Sequence, residues 1–201
     1  MSLAQPGLFD AAPPGLPEGF LYEPELVSRA EEVELAARVA ELPLAPFQFH
    51  GFEGKRRVVS FGWRYDFNQG GLQRAEPFPD WLAALAARAA AFAGVASEAF
   101  AHALINEYAP GAGIGWHRDR PQFEDVVGVS LLAPCRFRFR RRDGNGWRRA
   151  ALVAAPRSAY LLRGPARNAW EHSIPPMEVL RYSITFRTFR PDRPPSSKET
   201  S

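Results

Sequence analysis

Residues 113–122 read GIGWHRDRPQ, and within them His117 and Asp119 stand two positions apart. Side chains i and i+2 of an extended strand point to one side, so this imidazole and carboxylate can grip a single ion. Two ligands hold a metal poorly. A third is available in WEHSIPP (170–176), where His172 follows several predicted strands downstream. Two histidines and one carboxylate form a facial triad, which leaves three positions open on Fe(II) for a co-substrate and oxygen. A surface histidine–acid pair is the competing reading of His117-x-Asp119 taken alone. His50 and His102 have no companion acid at a matching spacing and read as structural or surface groups.

The segment RYSITFR (181–187) raises a related question. In a strand, Arg181, Ser183, Thr185 and Arg187 share one face and Tyr182, Ile184 and Phe186 the other. Two inward arginines are costly unless each meets an anion. A dicarboxylate ligand would serve both; a salt bridge from Arg181 to a buried acid is the alternative. Upstream, Asn106 and Tyr108 in INEY also lie at i and i+2 and offer polar groups to the same pocket.

The rest of the chain must position these groups. PELVSRAEEVELAARVAEL (24–42) places Leu26, Ala30, Val33, Ala37 and Ala40 at helical spacing, with Pro24 suited to the first turn. DWLAALAARAAAFAGV (80–95) predicts a second helix with Leu82, Leu85, Ala89 and Phe92 on one face and Gly94 as its stop. From about residue 102 the period becomes strand-like, over 103–109, 125–132, 135–142, 150–155, 158–164 and 180–189. Many short antiparallel strands predict a sandwich or barrel with helices packed outside, so the class is α+β, mainly β. Residues 1–20, rich in Pro, Gly and Ala, read as a flexible lead-in and 191–201 as a disordered tail, which leaves 21–190 as one domain.

In series, Asn106-x-Tyr108, His117-x-Asp119, His172 and Arg181 with Arg187 resemble the AlkB family of Fe(II)- and 2-oxoglutarate-dependent dioxygenases, across roughly residues 100–190. The resemblance implies a double-stranded β-helix, or jelly roll, buttressed here by the N-terminal helices. It implies Fe(II) on His117, Asp119 and His172, with 2-oxoglutarate and O2 as co-substrates. Arg181 would pair with the C5 carboxylate, Arg187 would sit near the C1 end and Asp119, and Asn106 and Tyr108 would line the pocket. Ser183 stands where better-known members carry Asn. The implied reaction converts 2-oxoglutarate to succinate and CO2 and hydroxylates a substrate C–H. On an N-methyl group the product collapses to formaldehyde and the repaired amine.

By the same resemblance, residues 47–75 form a substrate lid. Phe61, Trp63 and Tyr65 alternate and share one strand face, with Arg57 and Arg64 nearby; aromatics beside arginines suit a splayed base next to a phosphate. A plain strand with an aromatic core face is the alternative. Arg118, between the two motif ligands, joins the substrate side. The segment CRFRFRRRDGNGWRR (135–149) holds seven arginines around an expected Asp143–Gly146 turn and almost no acids, which suits a surface that tracks phosphates. DNA-repair members carry an acid two positions after the motif aspartate; here that position is Pro121, and Glu124 or Asp125 are the nearby substitutes.

Composition agrees. The formal net charge is +3, and all but two of the 25 basic residues are arginines, the side chain that matches phosphate and carboxylate bidentately. With Cys135 alone no intramolecular disulfide can form, and no apolar stretch reaches the roughly 18 residues of a membrane span. The expectation is a cytoplasmic, monomeric enzyme without an obligate protein partner or membrane attachment, which demethylates N-alkylated bases in DNA or RNA. The alternatives are a 2-oxoglutarate oxygenase acting on protein or a small molecule, and an inactive jelly roll that only binds nucleic acid.

Overall fold

The computed structural model describes residues 15–49, 52–65 and 72–192. In chain order the elements are β1 (Phe20–Glu23), α1 (Arg29–Ala40), β2 (Ala45–Phe49), β3 (Phe52–Phe61), β4 (Trp63–Tyr65), β5 (Leu72–Arg74) and α2 (Asp80–Ala93). Then follow β6 (Phe100–Tyr108), β7 (Ile114–His117), β8 (Phe123–Leu131), β9 (Cys135–Asp143), β10 (Gly146–Ala154), β11 (Ala159–Leu162), the short α3 (Gly164–Asn168), β12 (Glu171–Ile174) and β13 (Arg181–Phe189).

Strands β6 to β13 alternate between two antiparallel sheets. The larger has the order β1-β11-β8-β13-β6-β3-β2 and the smaller β10-β9-β12-β7. From β6 the chain passes to the second sheet in β7, returns in β8, crosses again for the β9–β10 hairpin, returns in β11, crosses in β12 and ends in β13. This double winding is the jelly roll that the strand count and the resemblance led us to expect. β4 and β5 form a separate two-stranded ribbon.

Two cores flank the large sheet. Tyr182, Ile184 and Phe186 of β13 point to its outer face and pack with Leu82, Leu85, Ala86 and Ala89 of α2. Burial of Leu82 and Leu85 contributes about 2 kcal/mol each. Between the sheets, Phe20, Phe137, Phe139, Tyr160, Trp170 and Ile174 form the second core. Because both faces of β13 are covered, its outer row is apolar and its inner row, Arg181, Ser183, Thr185 and Arg187, is left to do chemistry.

The helices differ in an instructive way. α2 ends where Gly94 adopts φ +65°, as expected from the sequence. α1 starts not at Pro24 but at Arg29, because Ser28 and Glu31 close a capping box. Its buried face is Glu32, Leu35 and Val39, while Val33, expected in the apolar stripe, is 66% exposed. Glu32 accounts for the rotation: its carboxylate accepts from the Leu132 N–H at 2.8 Å and from Arg157 at 3.4 Å, fastening α1 to the β8–β9 corner. A charge turned inward for its partners displaces the stripe that hydrophobicity alone selects.

Candidate metal centre and its cavity

His117 closes β7 and His172 lies on β12, and the two are register partners across adjacent antiparallel strands. Their rings stand 4.3 Å apart, centroid to centroid. Asp119 follows β7 directly. Potential ligand atoms of His117, Asp119 and His172 all lie within 4.8 Å of one another. The strand pairing thus brings together residues far apart in sequence, as the spacing of the motifs required.

Neighbours fix the orientation of each group. His117 Nδ1 donates to the Gly115 carbonyl at 2.9 Å, which directs Nε2 toward the cluster. Arg187 donates from Nε and Nη2 to one oxygen of Asp119, Oδ1, at 3.0 and 2.7 Å. The other oxygen, Oδ2, faces His172 Nε2 at 3.5 Å. Arg187 in turn is held by His102 Nδ1 at 3.2 Å, and the His102 ring stacks on Phe123. His102, read from the sequence as structural or surface, is therefore a buried support of the site; an isolated histidine in a strand carries no signal of that role.

Electrostatics suit a divalent ion. Burial, reinforced by His117, pushes His172 down to about 3. Burial likewise lowers His117, against the opposing pull of Asp119. For Asp119, burial acts upward, but Arg187 and the two histidines outweigh it and hold the carboxyl below its usual range. Two neutral imidazoles and an ionised carboxylate are the states that metal binding requires, and this donor set suits Fe(II).

A cavity of about 1930 Å³ opens between the sheets beside the cluster, lined among others by Asn106, Tyr108, Tyr160, Ser183 and Arg187. Arg181 lies behind this wall at the closed end, fully buried, its guanidinium 5.2 Å from the Tyr108 ring. Its Nη2 donates to Ser130 Oγ at 2.8 Å, but Nε and Nη1 are buried without a partner. No carboxylate pairs with it among the described residues, so the salt-bridge alternative does not hold there. Buried unpaired donors on a cation are costly; the distal carboxylate of a small dicarboxylic acid fits them. Sequence reasoning passed over Ser130 and Tyr160. The Tyr160 phenol lies where Gly128 leaves room, since a Cβ at Gly128 would stand 2.2 Å from the ring.

The lid region departs from expectation. Phe61 packs in the outer core, not toward the cavity. Gly62, at φ +75°, ends β3 and breaks the alternation that would have aligned Phe61 with Trp63. Trp63 meets Phe189 edge-on at 5.7 Å and carries Arg74 over its face, outside the cavity lining. The side chain of Tyr65 lies outside the described residues, as does His50. Arg57 also faces away, paired with Glu107 at 3.1 Å and the Leu44 carbonyl at 2.8 Å. Its neighbour Arg56 points inward instead, because strand parity puts it on the side of Val58 and Asn106. The KRRVV string gives no hint of which arginine is inside until the register with β6 is known. Arg64 and Arg118 line the cavity, the latter donating to the Asn168 carbonyl at 3.3 Å. Glu124 and Asp125 do not line the cavity: they pair with Arg190 at 3.2 Å and Arg163 at 2.6 Å.

On the small sheet, the β9–β10 hairpin turns at Gly144-Asn145. Its arginines stack on tryptophans: Arg138 and Arg140 over Trp116, Arg140 and Arg142 over Trp147, and Arg141 and Arg148 over Trp170. One acid enters this array, Glu171, 2.5 Å from Arg140. Trp116 also lines the cavity, so the array runs up to its mouth.

Comparisons with known proteins agree with this geometry. Residues 23–187 match the model of the 2OG-Fe(II) oxygenase superfamily. The chain is 31% identical over 184 residues to the Alkylated DNA repair protein ALKBH8 homolog of Arabidopsis thaliana, covering 78% of this chain and 51% of that protein. It is 32% identical over 116 residues to the Probable RNA/DNA demethylase ALKBH6 of Danio rerio, covering 55% and 45%. The chain spans about half the length of these curated relatives. The solved structure of OsALKBH1 superposes with a TM-score of 0.66 at 14% identity, over 85% of this chain and 96% of that one, a likeness of fold.

Proposed function

The chain belongs to the 2OG-Fe(II) oxygenase superfamily, in its AlkB-like branch, and from that premise we propose that it oxidatively demethylates N-alkylated bases of DNA or RNA. The observation that carries the reading is a His–Asp–His cluster on one cavity with a buried Arg181, unpartnered at Nε and Nη1, behind the wall of the same cavity. A metal and a dicarboxylate would complete the two ends.

His117 Nε2, His172 Nε2 and Asp119 Oδ2 would hold Fe(II), and Arg181 with Ser130 and Tyr108 would receive the distal carboxylate of 2-oxoglutarate. With both bound, the site would supply O2-dependent hydroxylation of a substrate C–H, one oxygen atom of O2 going to the substrate and the other to succinate as CO2 is lost. Arg187 keeps Asp119 ionised and turned so that one oxygen stays free for the metal. Asn106 and Ser183 line the cavity between the two ends. Hydrogen bonding of His117 to Gly115 fixes the tautomer that ligation needs. When the hydroxylated carbon is an N-methyl, the C–N bond breaks, formaldehyde leaves and the nitrogen takes up the proton that the hydroxyl gives up.

The arginine–tryptophan array supports a nucleic-acid substrate, since it offers a cationic, stacking surface that reaches the cavity mouth through Trp116. The names of the curated relatives point the same way. The test is release of formaldehyde and succinate by purified protein with Fe(II), ascorbate and 2-oxoglutarate, on methylated and unmethylated single-stranded DNA and RNA. Formaldehyde from a methylated strand alone is expected. Succinate without formaldehyde on every strand would move the activity to protein or small-molecule substrates.

A further inference from the structure

Arg56 is a buried cation of the cavity that neither the assigned metal ligands nor the assigned co-substrate contacts include. Its side chain is 8% exposed, and Nη1 donates to Asn106 Oδ1 at 2.8 Å. Its guanidinium carbon stands over the Phe47 ring, 3.9 Å from the centroid. Phe47 belongs to β2, on the lid side, and Asn106 to β6, so Arg56 bridges these two sides of the cavity. Both residues line the cavity. No carboxylate forms an ion pair with Arg56 among the described residues.

The other charges of the cavity sharpen this. Its lining carboxylates are Glu76, Asp119 and Glu171. Asp119 is committed to Arg187 and the metal site, Glu171 is paired with Arg140, and Glu76 is exposed at the rim. A positively charged base entering here would find a fixed cation that cannot deprotonate and no free buried acid. A base with a carbonyl oxygen would find a donor already oriented by Phe47 and Asn106.

Resting on the demethylase reading above, we propose that Arg56 determines base specificity: the pocket takes an uncharged, uracil-type N-methylated base whose carbonyl oxygen accepts from the Arg56 guanidinium, and it discriminates against cationic methylated cytosine and adenine.

A matched pair of bases tests it. 3-Methyluridine and 3-methylcytidine have the same shape and the same methyl position. The first is neutral with a carbonyl at C4; the second is a cation at neutral pH with an amino group there. Short single-stranded RNA oligonucleotides carrying one or the other are titrated by fluorescence anisotropy against protein loaded with Mn(II) and 2-oxoglutarate, which binds without turnover. Formaldehyde release is then measured with Fe(II).

The wild-type protein is expected to prefer the 3-methyluridine strand in both measurements, on the order of tenfold or more, the worth of a charge-assisted hydrogen bond. Arg56→Gln should level the two strands and Arg56→Glu should invert the order, with folding followed by circular dichroism. The wild-type comparison decides the matter even if a variant does not fold. Equal or better binding and turnover of the 3-methylcytidine strand would overturn the specificity while leaving the demethylase intact. A preference that survives Arg56→Gln in a folded protein would remove Arg56 from it. Failure to bind or process either strand would overturn both readings.

Discussion

At the scale of single residues, the site is a chain of dependencies that ends in one carboxylate. Asp119 keeps one oxygen available for a metal because Arg187 occupies the other, and Arg187 is itself steadied by His102. Groups that orient metal ligands commonly set affinity by one to two orders of magnitude. Arg187→Met is therefore expected to weaken Mn(II) or Zn(II) binding about tenfold to a hundredfold, read by competition with a chelator. Unchanged affinity would show that Asp119 needs no such support. The buried histidines make a second claim. His172 titrates near 3 in the fold, and burial holds His102 well below its ordinary value. The unfolded chain protonates both near pH 6.5. Below that pH the unfolded state binds more protons, so the metal-free protein keeps its full stability above about pH 6.5 and loses it as the pH falls toward 3. The slope is about 1.4 kcal/mol per pH unit for each such histidine. Melting temperatures between pH 7 and pH 5 check this; a flat profile would mean the imidazoles are already solvated or paired.

At the scale of elements, the fold explains what the sequence disclosed and what it hid. The candidate metal cluster and the inward arginine row were legible because His-x-Asp and the RYSITFR alternation are local patterns that any strand would express. The strands from β6 onward were legible for the same reason. The face of α1 was not, since Glu32 turns inward to meet partners 100 and 125 residues away, and no helical periodicity reports that. Nor was the lid, where Gly62 breaks the β3–β4 alternation and parity decides that Arg56 and not Arg57 enters the cavity. Such errors are of one kind: they depend on register or long-range pairing, which spacing cannot show. Two substitutions separate the readings of α1. Ser28→Ala removes the capping box and should cost about 1 kcal/mol, a fall of several degrees in melting temperature. Val33→Gln, on the exposed side, should leave stability within about 0.5 kcal/mol. A large loss from Val33→Gln with none from Ser28→Ala would restore the face first expected.

At the scale of the whole molecule, charge is distributed unevenly rather than in bulk. The net charge is only +3, yet the small sheet carries stacked arginines beside three tryptophans, with Glu171 as their single acidic partner among the described residues. A guanidinium over a ring keeps edge donors for phosphate oxygens, although Arg138 and Arg140 already give Nε to Ser173 and Glu171. Arg142→Glu, at the hairpin end, should weaken binding of single strands of every sequence alike and reduce the salt dependence by about one counterion. Base preference should not move, because it belongs to the cavity. A variant that changed base preference but not the salt slope would place the array elsewhere in the mechanism.

The central claim is that Arg181 lies buried and incompletely bonded because a dicarboxylate completes it. Calorimetric titration of 2-oxoglutarate into Mn(II)-loaded protein tests this directly, comparing the wild type with Arg181→Met, which keeps the side-chain length without the donors. A loss of affinity on the order of tenfold to a hundredfold, with the metal still bound, is the predicted result. Equal affinity in the variant would contradict the assignment of the closed end of the cavity, and with it the reading of this chain's site.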